Sequence, residues 1–401
     1  MEHIGVIGAG IIGLALARAV AHAYPGATVT VLDKESHVAA HQTGHNSGVV
    51  HAGLYYPPNS LKADLCRRGV GLLREYCAEH GISYAELGKV LVARDRDEAG
   101  RLPEIERRAT ANGVPGVRRL GPDGLIDLEP HVRGVAGLHS PSTAVTDFGA
   151  VARQLACDVT AIGGDIRLSS PVLDLRQDDD GVDVLTGVPD GPRRCWRFDW
   201  LLACAGLHSD HIAEMAGIGD DPRIVPFRGQ YHELAPHRRH LVRGLVYPVP
   251  DPRYPFLGVH LTRHVYGEVM AGPNAVLATA REGYRLRDVV PSELRETLTW
   301  PGFRRLAQEH WRTGAQELIL AASRSMFARQ ARRLVPAIRT HDLRPAPAGV
   351  RAQALAANGR LVDDFAVDTR GRVLVVRNAP SPAATSALAI AEHLLRRSPL
   401  S

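Results

Sequence analysis

Ile4-Gly-Val-Ile-Gly8-Ala-Gly10-Ile-Ile-Gly13 opens the chain, and its reading decides the fold. The first four residues read as a buried parallel strand, and residues 14–23 continue as a helix. A second strand over residues 28–32 ends in Asp33. That is about twenty residues beyond the last glycine, the spacing of the acid that holds the ribose hydroxyls of a bound dinucleotide. Each glycine answers a steric need. Gly8 allows a tight turn, Gly10 lets a pyrophosphate approach the backbone, and Gly13 lets helix and strand pack closely. The helix N-terminus then attracts phosphate charge. Three glycines alone are weak evidence; with strand, helix and acid in order they specify a dinucleotide-binding unit.

The next stretch outward is His41-Gln-Thr-Gly-His-Asn-Ser-Gly-Val-Val-His51-Ala-Gly-Leu-Tyr-Tyr56. It crowds histidines, small polar residues and a tyrosine pair into one segment, and no hydrophobic period runs through it. Such a stretch does not fill a core. A cofactor seated on the preceding turn would lie against it.

The totals bound the answer. A chain of 401 residues exceeds one compact core, and 45% hydrophobic with 23% charged residues is an ordinary globular composition. A formal charge of +5 gives no basis for a nucleic-acid partner. Lys34, Lys62 and Lys89 are the only lysines among 48 basic residues; the rest are arginines. The five cysteines are scattered, with no C-x-x-C and no metal-ligand spacing, so no metal site is expected. Their odd number fits reduced thiols in the cytoplasm. The apolar run over residues 4–17 has no lysine or arginine before it and falls short of the ~20 residues that span a bilayer.

Further along, Ser60 is the expected cap of a helix over 61–80 that Gly81 ends. A strand is expected over 89–94, a polar helix over 98–112 and a helix over 147–162. A β-meander is expected from 164–168, 172–175 and 182–185. Residues 200–206 form a second strand closed by glycine, with a helix from about Ser209. Residues 223–275 read as an antiparallel sheet. Residues 302–335 read as two helices joined near Gly314, with Phe303, Leu306, Leu318, Ile319, Ala322 and Met326 on the apolar side. Strands near Leu361 and over 373–376 lead to a last helix, for which Ser381 and Pro382 suit the cap and first position.

The motifs together resemble the FAD-dependent L-2-hydroxyglutarate oxidase/dehydrogenases, a branch of the D-amino-acid-oxidase-like flavoproteins. The matching segments, besides 41–56, are Val225-Pro-Phe-Arg-Gly-Gln-Tyr231, Tyr247-Pro-Val-Pro-Asp-Pro252 and Pro255-Phe-Leu-Gly-Val-His260. They continue with Gly272-Pro-Asn-Ala-Val276, Gly349-Val-Arg-Ala-Gln-Ala354, Leu361-Val-Asp-Asp-Phe365 and Asn378-Ala-Pro-Ser-Pro-Ala-Ala-Thr-Ser386. The resemblance covers nearly the whole chain. It implies an α/β fold (α+β overall): a doubly wound FAD-binding domain with an inserted mixed-sheet substrate domain. The expected division is 1–82, 141–220 and 336–401 for FAD, and 83–140 and 221–335 for substrate. The implied reaction is oxidation of L-2-hydroxyglutarate to 2-oxoglutarate, with electrons passing to quinone or oxygen. A cytoplasmic protein, peripheral at the inner face of the membrane, fits that role. The sequence departs from the family at Thr279 and Ala280, where relatives usually carry an aromatic and a lysine, and it matches poorly over 315–333.

Removing a proton from a hydroxyl at neutral pH suits histidine. His51 is the first candidate base and His260 the second. His51 could instead only bond backbone or cofactor. A substrate with carboxylates needs fixed cations; Arg351, in an expected Gly-Val-Arg turn, and Arg228 are the candidates. Tyr56 and Tyr231 could supply hydroxyls, as could Tyr55. Expected cofactor contacts are Gly8, Gly10, Ile12, Gly13, Asp33 and Lys34 at the first turn. His41, Thr43, Asn46, Ser47 and Val49 follow in the polar stretch. Val172 would lie on the adenine side, and Gly206 closes the second turn. Ser381, Ala384 and Thr385 would offer backbone N–H groups at the start of the last helix to the reduced ring. The arginine-rich segment over 324–339 could face a membrane. The residues leave two other readings open: a flavin enzyme for another hydroxy acid or an amino acid, and a non-catalytic flavin-binding protein.

Overall fold

A computed structural model describes residues 2–188, 191–251, 258–398 and 400. Pro252 and residues 255–257, which belong to two of the motifs quoted above, lie outside the described residues.

The opening strand His3–Ile7 lies inside a six-stranded sheet, between Trp200–Ala203 and Thr28–Leu32, and parallel to both. Beyond these lie Val373–Asn378 on one side and Asp165–Arg167 on the other, also parallel; Ala366–Arg370 closes the first edge as an antiparallel hairpin. Strands buried on both faces read as unbroken apolar runs, which is why Ile4, Val6, Val29, Val31 and Leu202 are all inside. The helices Ile11–Ala23, Phe148–Ala161 and Ala387–Arg397 share one apolar cluster with these strands. The opposite face carries a three-stranded antiparallel sheet, Val172–Gln177, Val182–Gly187 and Arg193–Phe198, together with the short helix Ser209–Met215. The second wall of the doubly wound unit is thus mostly sheet.

Among the described residues a second sheet has nine strands, and Val49–Val50, Ala144–Thr146 and Tyr84–Glu86 form a small separate one. Near one edge of the nine-stranded sheet lies Arg223–Leu234, paired along its length with Leu343–Leu355. Lys89–Ala93 joins Leu245–Pro248 in parallel and Ala136–Ser140 antiparallel. Ser60 is the expected cap, accepting from the Ala63 N–H at 3.2 Å, and Asp147 caps the helix Phe148–Ala161 by accepting from the Ala150 N–H at 2.9 Å, each worth about 1 kcal/mol.

Several expectations need correcting. Asp165–Arg167 is not part of a meander; it pairs with Thr28–Leu32 in the parallel sheet. The last helix begins at Ala387, and residues 381–386 form separate turns closed by Ala383 N–H to Pro380 C=O and Ser386 N–H to Pro382 C=O. Gly69 of the helix Leu61–Glu79 lies so close to this turn that a Cβ there would stand 2.6 Å from the Thr385 carbonyl. Leu361 makes only a single bridge to Leu355; the strand is Ala366–Arg370. The helix Pro301–Ala322 bends at His310, not Gly314, and the next, Arg324–Arg332, starts after a Ser323 cap. Its buried contacts are Gly302, Leu320 and Ala321, so Leu318 and Ile319 are 57% and 58% exposed. Arg351 is not in a turn but within the strand Leu343–Leu355, opposite Phe227. By hydrogen bonding that whole strand goes with the second sheet, although the expected division grouped it with the C-terminal FAD segment.

Candidate active site

The two sheets meet around one cavity of about 900 Å³. Its wall starts at the glycine turn. Gly8 has φ +102°, and a Cβ on it would fall 2.4 Å from the Cys204 carbonyl oxygen. A Cβ on Gly13 would fall 1.9 Å from the Gly8 carbonyl. In front of Gly10 only the Thr43 hydroxyl stands within 4 Å, at 3.4 Å, so the backbone at Gly10 faces open space and fits a pyrophosphate. Ile12 and Gly206 (φ +54°) line the same end. Asp33 accepts from the Ala9 N–H at 2.6 Å and the Glu35 N–H at 2.8 Å, leaving carboxylate lone pairs for ribose hydroxyls. Val172 also lines the cavity, two residues after Ser170, whose N–H donates to the Asp33 carbonyl at 2.7 Å.

The polar stretch folds along this wall through its own side chains. Thr43 Oγ1 accepts from the Ile11 N–H at 3.1 Å and so caps the first helix from outside. Asn46 is an internal brace: its amide donates to the Thr43 carbonyl at 2.6 Å and its oxygen accepts from the Gly48 N–H at 2.7 Å. His41 contacts Glu35 at 2.9 Å and the Tyr284 hydroxyl at 3.0 Å, and His45 stacks on Tyr284 at 4.2 Å. Lys34 pairs with Glu282 at 2.7 Å and with Glu35. Despite burial, hydrogen bonds from His208 and Lys34 hold the Glu282 carboxyl at about 2. Glu35, His41 and Glu282 offer three ligand atoms within 4.8 Å of one another, but the Lys34 ammonium already balances both carboxylates. Ser47 and Val49 continue the wall, and Thr385 Oγ1 ties the stretch to the C-terminal turn by accepting from the His51 N–H at 3.1 Å. Ser381 and Ala384 line the cavity from that same turn, not from a helix N-terminus.

His51 and His260 both face the cavity. His51 Nε2 is 3.5 Å from Ser381 Oγ. Burial, then the charges of Lys89, His260 and Lys62, hold the His51 imidazole well below its ordinary 6.5. His260 donates from Nδ1 to the Gly258 carbonyl at 3.0 Å, which leaves Nε2 with its lone pair. Burial pushes His260 down to about 3, with Lys89 and Arg351 adding to the effect. Both rings are therefore neutral at pH 7 and able to accept a proton. Tyr56, Tyr231 and Arg351 share the wall. Burial raises both phenols above their ordinary range, so they are donors there. Arg228 is different. It is buried, yet it does not line the cavity: strand alternation sends Gly229 and Tyr231 inward, while Arg228 lies beside Gln230, 3.2 Å from its Oε1. Ala280 is also buried and outside the wall.

Sequence reasoning missed Lys89. It sits on the buried strand Lys89–Ala93, 1% exposed, with Nζ 4.4 Å from the Tyr247 ring centre. Tyr247 in turn stacks on His260 at 3.9 Å. Burial lowers the Lys89 ammonium to about 8. A signal was available: in a chain whose cations are nearly all arginine, Lys34 and Lys62 line the cavity and Lys89 stands one ring behind it.

The family model described as "FAD dependent oxidoreductase" matches residues 3–397. The chain is 42% identical over 399 residues to mitochondrial L-2-hydroxyglutarate dehydrogenase of Homo sapiens, covering 96% of this chain and 86% of that one. It is 42% identical over 386 residues to L-2-hydroxyglutarate dehydrogenase of Indibacter alkaliphilus, covering 96% of each. Among solved structures, L-alpha-glycerophosphate oxidase from Mycoplasma pneumoniae with FAD bound superposes with a TM-score of 0.79 at 21% identity, covering 99% of this chain and 94% of that one. Glycine oxidase from Geobacillus kaustophilus gives 0.72 at 16%, covering 100% and 96%. These two show the fold. Together with the glycine cradle and the open cavity in front of it, the family model and the 42% identity identify the chain as a member of the FAD-dependent oxidoreductase family, within which it belongs with the L-2-hydroxyglutarate dehydrogenases.

Proposed function

We propose that this protein oxidises the 2-hydroxyl of L-2-hydroxyglutarate to give 2-oxoglutarate, with a buried histidine as base. The observation that carries the reading is the meeting, in one cavity, of the glycine turn with two neutral imidazoles and Arg351. The 42% identity to proteins named for this substrate supports its choice. The reaction removes a hydride from C2 and a proton from the hydroxyl. FAD, when bound, accepts the hydride with its two electrons. The chain supplies the rest. Neutral His51 takes the hydroxyl proton on a ring nitrogen, with His260 as the alternative base. Arg351 grips the C1 carboxylate through its planar fork, which fixes the direction of the C2–H bond. Tyr56 and Tyr231 donate to substrate oxygens.

The test is anaerobic bleaching of the flavin by a panel of 2-hydroxy and 2-amino acids. L-2-hydroxyglutarate should be the best reductant; bleaching by an amino acid but not by it would refute the substrate. His51→Ala should keep its FAD and lose about 100-fold or more in reduction rate. Near-normal reduction by that variant would move the role of base to His260.

For reoxidation the acceptor is quinone or oxygen, with quinone reached by a cytoplasmic protein lying on the inner face of the membrane. Among the described residues no helix is long and apolar enough to cross a membrane. Trp311, Leu318 and Ile319 stand exposed on one helix, next to the arginine-rich 324–339 segment, and support surface contact. Co-sedimentation with anionic vesicles, and reoxidation rates with a soluble quinone against oxygen, decide between the acceptors.

A further inference from the structure

A five-carbon dicarboxylate has a second charge to satisfy, at C5, and the Arg351 fork is taken by C1 in the reading above, on which this inference rests. The lysines and arginines of the cavity wall, among the described residues, are Lys34, Lys62, Arg108, Arg351 and Arg377. Three are committed elsewhere. Lys34 is locked between Glu282 and Glu35. Arg108 lies at the surface against Glu104 at 2.8 Å. Arg377 donates to the Pro222 carbonyl at 2.8 Å and faces Asp368 at 3.3 Å. Lys62 remains.

Its position is unfavourable for a lysine without a ligand. It is the second residue of the helix Leu61–Glu79, where the helix dipole repels a cation. It is 8% exposed. Its carboxylate neighbours are Asp363, 3.7 Å away on a side chain that is 98% exposed, a contact that water screens, and Asp364, which acts on it through charge without a salt bridge. Nζ lies 5.5 Å from the centre of the Tyr56 ring, and its charge is felt at His51, whereas that of Arg351 is felt at His260. The two cations therefore approach the histidine pair from different elements, Lys62 from a helix and Arg351 from a strand of the second sheet.

We propose that Lys62 binds the distal carboxylate of the substrate and so sets the preference for a dicarboxylate. It takes the role for which position 280, an alanine outside the wall, offers no charge.

The experiment compares holoenzyme and Lys62→Met on L-2-hydroxyglutarate and on L-2-hydroxypentanoate, which has the same chain without the second carboxylate. Binding of glutarate and of pentanoate is measured alongside by calorimetry. The ratio of kcat/KM for the dicarboxylate over the monocarboxylate should fall at least tenfold, chiefly through KM. Glutarate binding should weaken by the same factor, pentanoate binding far less. Lys62→Arg should keep most of the preference. A wild-type enzyme without preference for the dicarboxylate overturns the substrate reading and this assignment with it. A wild type that prefers it, beside a Lys62→Met variant that keeps the full preference, overturns the assignment of Lys62 alone.

Discussion

Replacing Lys89 by methionine should move the acid limb of the pH–rate profile upward. The side chain keeps its length and apolar contacts while its charge disappears. Lys89 Nζ is 4.4 Å from the Tyr247 ring centre, and that centre is 3.9 Å from the His260 ring centre. The ammonium is therefore within about 8 Å of the imidazole, where a unit charge is worth about 2 kcal/mol at an effective dielectric of about 20, or roughly 1.5 pKa units. Burial remains the larger cause of the depressed imidazoles, so they stay below the ordinary range in the variant. The sign is fixed: a nearby cation opposes protonation, and its loss lets the base protonate at higher pH. Lys89 itself titrates near 8, so it is charged throughout the acid limb and its removal is felt there. The assay is the anaerobic rate of flavin reduction at saturating substrate between pH 4 and about 9, with flavin absorbance as the check on folding. An acid limb that stays in place, or moves down, would refute the claim that the Lys89 charge helps to depress the imidazoles.

Three further outcomes are expected. Gly13→Ala puts a Cβ 1.9 Å from the Gly8 carbonyl, so the protein should purify with less than about a tenth of its flavin, read as visible against protein absorbance; full occupancy would mean the turn is looser than described. Arg281→Met leaves Asp210, itself 4% exposed and bonded at 2.7 Å and 2.9 Å, as a buried unpaired charge, which should destabilise by about 3–5 kcal/mol in denaturant titration. His260 titrates at about 3 folded against an ordinary 6.5, so between those values the unfolded chain binds a proton that the folded chain does not. Stability from this group is full above pH 6.5 and drains as pH falls toward 3; His260→Phe should flatten the difference between denaturant midpoints at about pH 7 and pH 4.5.

The nucleotide half was legible because its signals are local. The turn at Gly8, the clash that excludes a side chain at Gly13, and the acid at Asp33 are set by sequence neighbours or by one strand beside them. The substrate half was less so. Leu343–Leu355 holds Pro345 and Pro347, which argue against a central strand, yet it is a strand whose ladder, among the described residues, runs with Arg223–Leu234 alone, so a missing N–H can face outward. That hid the setting of Arg351. The side of the sheet on which Arg228 falls depends on the phase of a long strand with a bulge after Gly229, and no neighbouring residue announces that phase. Lys89 lies in a strand buried at every position, so no alternation says which way it points. Leu318 and Ile319 carried the period of a buried helix face, but the contact is made by Leu320 and Ala321.

The same burial that hid these residues explains how the site works at neutral pH. Two imidazoles in one cavity, each lowered by burial and His51 also by the charge of His260, cannot both be protonated without strong repulsion. Their titration belongs to the pair, and the limb seen in a rate profile is a macroscopic one. Removing either ring relieves the other of that repulsion. If His51 is the base, His260→Gln should therefore leave reduction at neutral pH in place and shift the limb upward, whereas His51→Gln should remove reduction at every pH. If the two variants behave alike, the proton is shared, and the stretch that ends in His51 provides only half of the base.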